Sequence, residues 1–132
     1  MKTMKHTALL TALVLCFALC ACAGNPTGYD QSFRDGASVP QMSASAVDSV
    51  VLFDLITREQ KTLTTAQVEE FVSLYNKSTV KYLEVGTTPD YIVTITFKDG
   101  TTLKLSDEED RLEVGYYKIV NSELVTFIKG LL

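Results

Sequence analysis

The sequence predicts an α+β domain: a small antiparallel sheet of four to five strands with two helices packed on one face, in the order β(β)-α-β-β-β(β)-α. Three observations carry that expectation. Tyr91, Val93, Ile95 and Phe97 alternate with Ile92, Thr94, Thr96 and Lys98, the period of a strand with one face on a core. Val68, Phe71, Val72 and Tyr75, and again Leu124, Phe127, Ile128 and Leu131, stand at i, i+3, i+4 and i+7, the stripe of an amphipathic helix. Strand-like runs follow one another without an intervening helical pattern from residue 91 to 120, which indicates antiparallel neighbours rather than crossovers.

The elements follow in chain order. Val-Val-Leu-Phe-Asp-Leu-Ile (50–56) is β-branched and apolar and reads as a well-buried strand, with 57–63 returning as a short hairpin partner. Thr64 and Gln67 form a T-x-x-Q capping box, and Leu63 and Val68 stand at the two positions of a hydrophobic staple, so a helix starts there. After the strand at 91–97, Asp99-Gly100 marks a turn. A two-residue loop would set Ile95 opposite Lys104. A three-residue loop, Lys98-Asp99-Gly100 with Gly100 left-handed, instead pairs Ile95 with Leu103 and Val93 with Leu105. A one-residue slip would turn every side chain over, so the three-residue loop is the prediction. Asp107 to Asp110 reads as an exposed acidic turn. Residues 111–120 give one or two strands bent at Gly115, and Asn121 or Ser122 caps the last helix. Two helices across one face leave the other wet, with Thr94, Thr96, Thr102 and Lys104 on it.

The 48–132 domain is preceded by two segments of different character. Residues 22–47 are dominated by Gly, Pro, Ser, Asn, Asp and Gln and run with no period, the composition of a tether; Tyr29 and Phe33 are the aromatics within it. Residues 1–21 carry Lys2 and Lys5, an apolar run from 8 to 21 and small residues after it. That run is shorter than the roughly 20 residues of a membrane span and suits an export signal.

Leu19-Cys20-Ala21-Cys22 resembles the lipobox of bacterial lipoproteins, with Cys at the position where Ala, Ser or Thr is usual. The resemblance implies that Cys22 carries a diacylglycerol thioether and becomes the first mature residue. The domain would then be held at the outer face of the cytoplasmic membrane. A plain secretory cut at Ala21-Cys22-Ala23 is the alternative. The order of elements also resembles small domains of unknown function in exported Gram-positive proteins, similar in fold to TATA-binding protein. Such a fold name carries no function.

Cleavage before Cys22 would remove the only histidine, His6, along with Cys16 and Cys20. It would also remove two lysines and no acid, leaving ten basic against sixteen acidic residues, a net charge of about −6. That balance disfavours nucleic acid, which attracts basic patches. The mature chain would hold no imidazole, no free thiol and none of the phosphate-loop, nucleophile-elbow or zinc motifs, so no enzyme and no cofactor is expected. Asp54 is the acid within an apolar strand, and ending that strand or capping its turn explains it without chemistry. Asp107, Glu108 and Asp110 offer oxygens for Ca²⁺ but lack the alternating spacing of a calcium loop. Tyr82, Tyr116 and Tyr117 are the candidate interaction surface. Neighbours on one strand point to opposite faces, so one of Tyr116 and Tyr117 is expected inside and the other exposed. The expected function is a membrane-anchored, non-catalytic binding or accessory module of the cell envelope, with a protein or cell-wall glycan partner. The alternatives are a carboxylate-only glycan hydrolase, and a tethered inhibitor or sensor domain.

Overall fold

Alternation along Tyr91–Phe97 sets the centre of the sheet. In the computed structural model, which describes residues 33–83, 88–108 and 111–132, Val93 and Ile95 are fully buried and Phe97 nearly so. Among the described residues there are seven strands: β1 (Val47–Asp54), β2 (Gln60–Thr62), β3 (Thr79–Tyr82), β4 (Tyr91–Phe97), β5 (Thr102–Glu108), β6 (Arg111–Val114) and β7 (Tyr117–Val120). They form one sheet in the order β2-β1-β4-β5-β6-β7-β3, every neighbouring pair antiparallel. Helices α1 (Thr65–Asn76) and α2 (Ser122–Gly130) complete the domain. The α+β class and the antiparallel sheet are as the sequence predicts. The sheet is larger than four to five strands because residues 111–120 make two and β3 adds a further edge.

The β4–β5 loop has the predicted register: Ile95 opposes Leu103 and Val93 opposes Leu105. Gly100 has φ of 87°, a left-handed value at which a Cβ would be strained. Asp99 Oδ1 accepts from the Thr101 amide at 2.9 Å and the Thr101 hydroxyl at 2.6 Å, fixing the loop. Those two bonds hold the Asp99 carboxyl below its ordinary pKa.

Helix α1 begins with the capping box: Gln67 N–H donates to Thr64 Oγ1 at 3.3 Å and Thr64 N–H to Gln67 Oε1 at 2.9 Å. Phe71, Val72 and Tyr75 are buried, with Val68 packed at the margin. Asn121 caps α2, its Oδ1 accepting from Glu123 and Leu124. Its Nδ2 donates to Leu74 O at 2.8 Å and Ser78 Oγ at 3.1 Å, so one side chain ties the end of α1 to the start of α2. Leu124 and Ile128 are buried as expected; Val125, outside the predicted stripe, is buried where Phe127 is only partly so. Both helices cover one face, the side of Leu52, Val93, Ile95, Leu105, Leu112 and Ile119. The opposite face carries Thr94, Thr102 and Lys104 as expected, but also half-buried Val51, Phe53 and Ile92.

Three expectations are corrected. The tether does not extend to residue 47, because 33–46 pack on the domain. Phe33, Val39 and Met42 are buried. Asn76 brackets Met42 through a 2.9 Å bond from the Met42 amide and a 2.8 Å bond to its carbonyl. A single 3₁₀ turn at Ala44–Ala46 then leads into β1. Second, the first strand ends at Asp54 rather than Ile56, which is 75% exposed in the following turn. Third, Asp107 is no exposed turn residue. It lies in β5 at the parity of Leu103 and Leu105 and is buried. Glu108 ends the same strand, and Asp110 lies outside the described residues, as do Cys22, the 1–21 segment and Tyr29.

Candidate functional site

The three tyrosines singled out by the sequence come together at the β3–β7 side of the sheet. A two-residue turn, Gly115-Tyr116, joins β6 to β7, with Val114 opposite Tyr117. Gly115 has φ of 55° and Tyr116 does not have a positive φ, the pattern of a II′ hairpin with glycine at its first central position. That turn throws Tyr116 outward, 74% exposed, while its carbonyl accepts from the Leu83 amide at 2.8 Å. Tyr117, one residue on, returns to the helix-covered side.

β3 pairs with β7 so that Tyr82 lies directly opposite Tyr117. Their rings meet edge to face with centroids 6.1 Å apart. On its other side Tyr117 stacks on Phe33 at 6.4 Å, and Phe33 is buried. Exposure therefore rises stepwise along the cluster, from Phe33 through half-buried Tyr117 to Tyr82 at 53%. The Tyr82 amide donates to Asp35 Oδ1 at 2.9 Å, which holds the end of β3 against the N-terminal segment. The result is a ledge with one exposed phenol, Tyr82, on a fixed aromatic base and a second, Tyr116, in the turn next to it. Such rings present apolar area with a polar tip and lose little side-chain freedom on contact. Phe33 is the ledge residue that the sequence offers only as one of two tether aromatics, Tyr29 and Phe33, because nothing periodic around it signals burial.

The acids are disposed differently. Asp54 ends β1, and its Oδ1 accepts from the amides of Ile56 at 2.8 Å and Thr57 at 3.0 Å. The Thr57 bond, with that of Ile56, holds its carboxyl below the ordinary range. This is the turn-capping role. Asp54 shares a shallow depression with Glu59, Lys61, Leu131 and Leu132. On the covered face Tyr91 sits between Asp54 on β1 and Asp107 on β5. Burial first, then the charges of Asp54, Asp90 and Asp107, push its phenol pKa up, so it stays protonated and is no base or nucleophile near neutral pH. Among the described residues no group of three or more His, Cys, Asp or Glu is arranged to hold a metal ion.

Compared with protein-family models, with curated proteins and with solved structures, the chain gives no match in any of the three. The class that fold and site define is thus a small α+β domain with an aromatic ledge at one edge of its sheet.

Proposed function

We propose that the chain is an extracytoplasmic lipoprotein anchored through Cys22, and that its α+β domain is a non-catalytic binding module of the cell envelope. The anchor rests on the Leu19-Cys20-Ala21-Cys22 lipobox that ends the apolar run. The observation that carries the binding role is the ledge: exposed Tyr82 packed edge to face on the Phe33–Tyr117 base, with exposed Tyr116 in the adjoining turn. Tyrosine is enriched where protein surfaces make their strongest contacts, and rings already held by packing spend little entropy on binding. The glycan-hydrolase alternative needs one carboxyl kept protonated beside an ionised one. Asp54 Oδ1 is occupied by the two turn amides, the role of a turn cap, and this favours the binding reading at that depression.

Two measurements test this function. Palmitate labelling of the expressed chain is expected to disappear in Cys22→Ser, and label retained by that variant would end the anchor. The mature chain is expected to sediment with isolated envelope fractions, membranes or cell-wall sacculi, and the Tyr82→Ala/Tyr116→Ala double variant to do so at least about tenfold more weakly, the loss of a pair of modest contact residues. Equal retention of both would contradict a role for the ledge.

A further inference from the structure

The sheet face away from the helices is not uniformly wet, and we infer that it carries a binding site for a carboxylated sugar over β2, β1, β4 and β5. This site lies on the opposite face from the Tyr82–Tyr117 packing, and it rests neither on the ledge nor on the lipid anchor.

Alternation and register fix which side chains meet there. Gln60, Phe53 and Ile92 form one row across β2, β1 and β4, and Val51, Thr94 and Lys104 the next across β1, β4 and β5. Those six residues line a shallow depression of about 370 Å³. Three strand spacings by one side-chain repeat give it a footprint of about 14 Å by 7 Å. Val51, Phe53, Ile92 and Thr94 are half-buried on this face, and Gln60 and Lys104 are exposed at the two ends of the depression.

Charge selects an anion. The chain is acidic, with a net charge of −4, and three other depressions on its surface follow suit. Glu70 and Glu123 line one, Asp54 and Glu59 a second, and Asp48 and Glu69 a third. The β1–β5 depression has no acid in its lining, and its single charge is the ammonium of Lys104. Directly across β4 from Lys104 stands neutral Thr94. Glu113, one strand further on, faces Ser106 and Lys118 and is not part of the lining. An anionic group seated here meets a cation with no lining carboxylate to repel it.

The remaining side chains select a sugar as the bearer of that anion. Val51, Phe53 and Ile92 make an apolar floor on which one face of a pyranose ring can lie. The Gln60 amide and the Thr94 hydroxyl offer donors and acceptors to its hydroxyls. A stable protein interface takes roughly 800 Å² of each partner. This floor is too small for one, because Ser49, Thr96, Thr102 and Ser106 bound it. A fatty acyl chain calls for a pocket that closes over most of its surface, which an open sheet face does not supply.

Amide shifts of the isotope-labelled mature chain test the site. The probe is trigalacturonate, with its methyl ester as a neutral control and octanoate as an anion without hydroxyls. Trigalacturonate is expected to move the amides of Val51, Phe53, Ile92, Thr94 and Lys104. It should bind about three- to fivefold more tightly than the ester, the worth of one exposed ion pair. In Lys104→Gln acid and ester should bind alike, with the rest of the spectrum unchanged. Ile92→Thr, still β-branched, should weaken both. The Tyr82→Ala/Tyr116→Ala chain should bind trigalacturonate as the natural chain does, so failure of the ledge and failure of this site are told apart. No shift of these amides at millimolar trigalacturonate overturns the inference. So does equal binding of acid and ester by the natural chain, or a preference that survives in Lys104→Gln. Octanoate moving these amides where trigalacturonate does not overturns it as well.

Discussion

Edge strand β3 is overlaid by residues 35–39, whereas edge strand β2 turns three exposed residues, Gln60, Lys61 and Thr62, toward water. On the β3 side Gly36 N–H donates to Val80 O at 2.8 Å, Val80 N–H to Ala37 O at 2.8 Å and Val39 N–H to Ser78 O at 3.1 Å. Phe33, Val39 and Met42 back those bonds from within the core. On the β2 side the ties beyond pairing with β1 include a 2.8 Å bond from Lys61 Nζ to the Leu131 carbonyl. Unpaired strand edges invite association, and they are blunted either by cover or by shortness and charge. This sheet uses one device at each end. The covered edge is also the one that bears the ledge, so stability and the proposed contact surface share the same residues.

That difference can be broken from either side. Beginning the chain at residue 43 removes all three buried side chains of the overlay, each costing about 2–5 kcal/mol. The total is comparable with the ~5–15 kcal/mol that holds an ordinary domain folded. The truncated chain is expected to show no cooperative transition in urea by circular dichroism. Phe33→Ala alone is expected to cost about 3–5 kcal/mol, read as a lower urea midpoint with an unchanged slope. It should also loosen Tyr117, whose ring rests on Phe33. Lys61→Ala at the open edge should change stability by less than about 0.5 kcal/mol, since the residue is exposed and its one bond is screened.

The smallest expected effect is pH-dependent and lies in the turn beside β2. The Asp54 carboxyl titrates below its unfolded value, so its contribution is present above that value and is lost as pH falls through the lowered one. Asp54→Asn should therefore be less stable than the natural chain at neutral pH. The gap should close on acidification below about pH 4, measured as paired urea titrations across pH. A gap that persists at low pH would show that the turn depends on shape rather than charge.

The sequence made some of this architecture plain. Register between β4 and β5 was legible because parity alone separates Ile95–Leu103 from Ile95–Lys104. The start of α1 was legible because a capping box is a local code. Burial of Asp107 was recoverable in principle, since it continues the alternation of Leu103 and Leu105 by one step. Four acids in succession masked that parity. The overlay was not legible. Phe33, Val39 and Met42 follow no helical or strand period, and what fixes them lies far along the chain, in Asn76 and in β3. β3 itself is four residues long. For the ledge, the split between Tyr116 and Tyr117 follows from alternation, but the meeting of Tyr82 with Tyr117 depends on pairing two segments 35 residues apart.

Amide hydrogen exchange tests the central claim, that residues 33–46 belong to the domain and cover its β3 edge. The amides of Gly36, Val39 and Val80 are predicted to exchange with protection close to that of Val93 and Ile95 in the centre of the sheet, since each is bonded across the overlay. If Gly36 and Val39 exchange at unstructured-peptide rates while Val93 and Ile95 stay protected, the overlay is no part of the folded domain. The tether would then run to residue 47 as the sequence predicts, and Tyr117 would lose its Phe33 base.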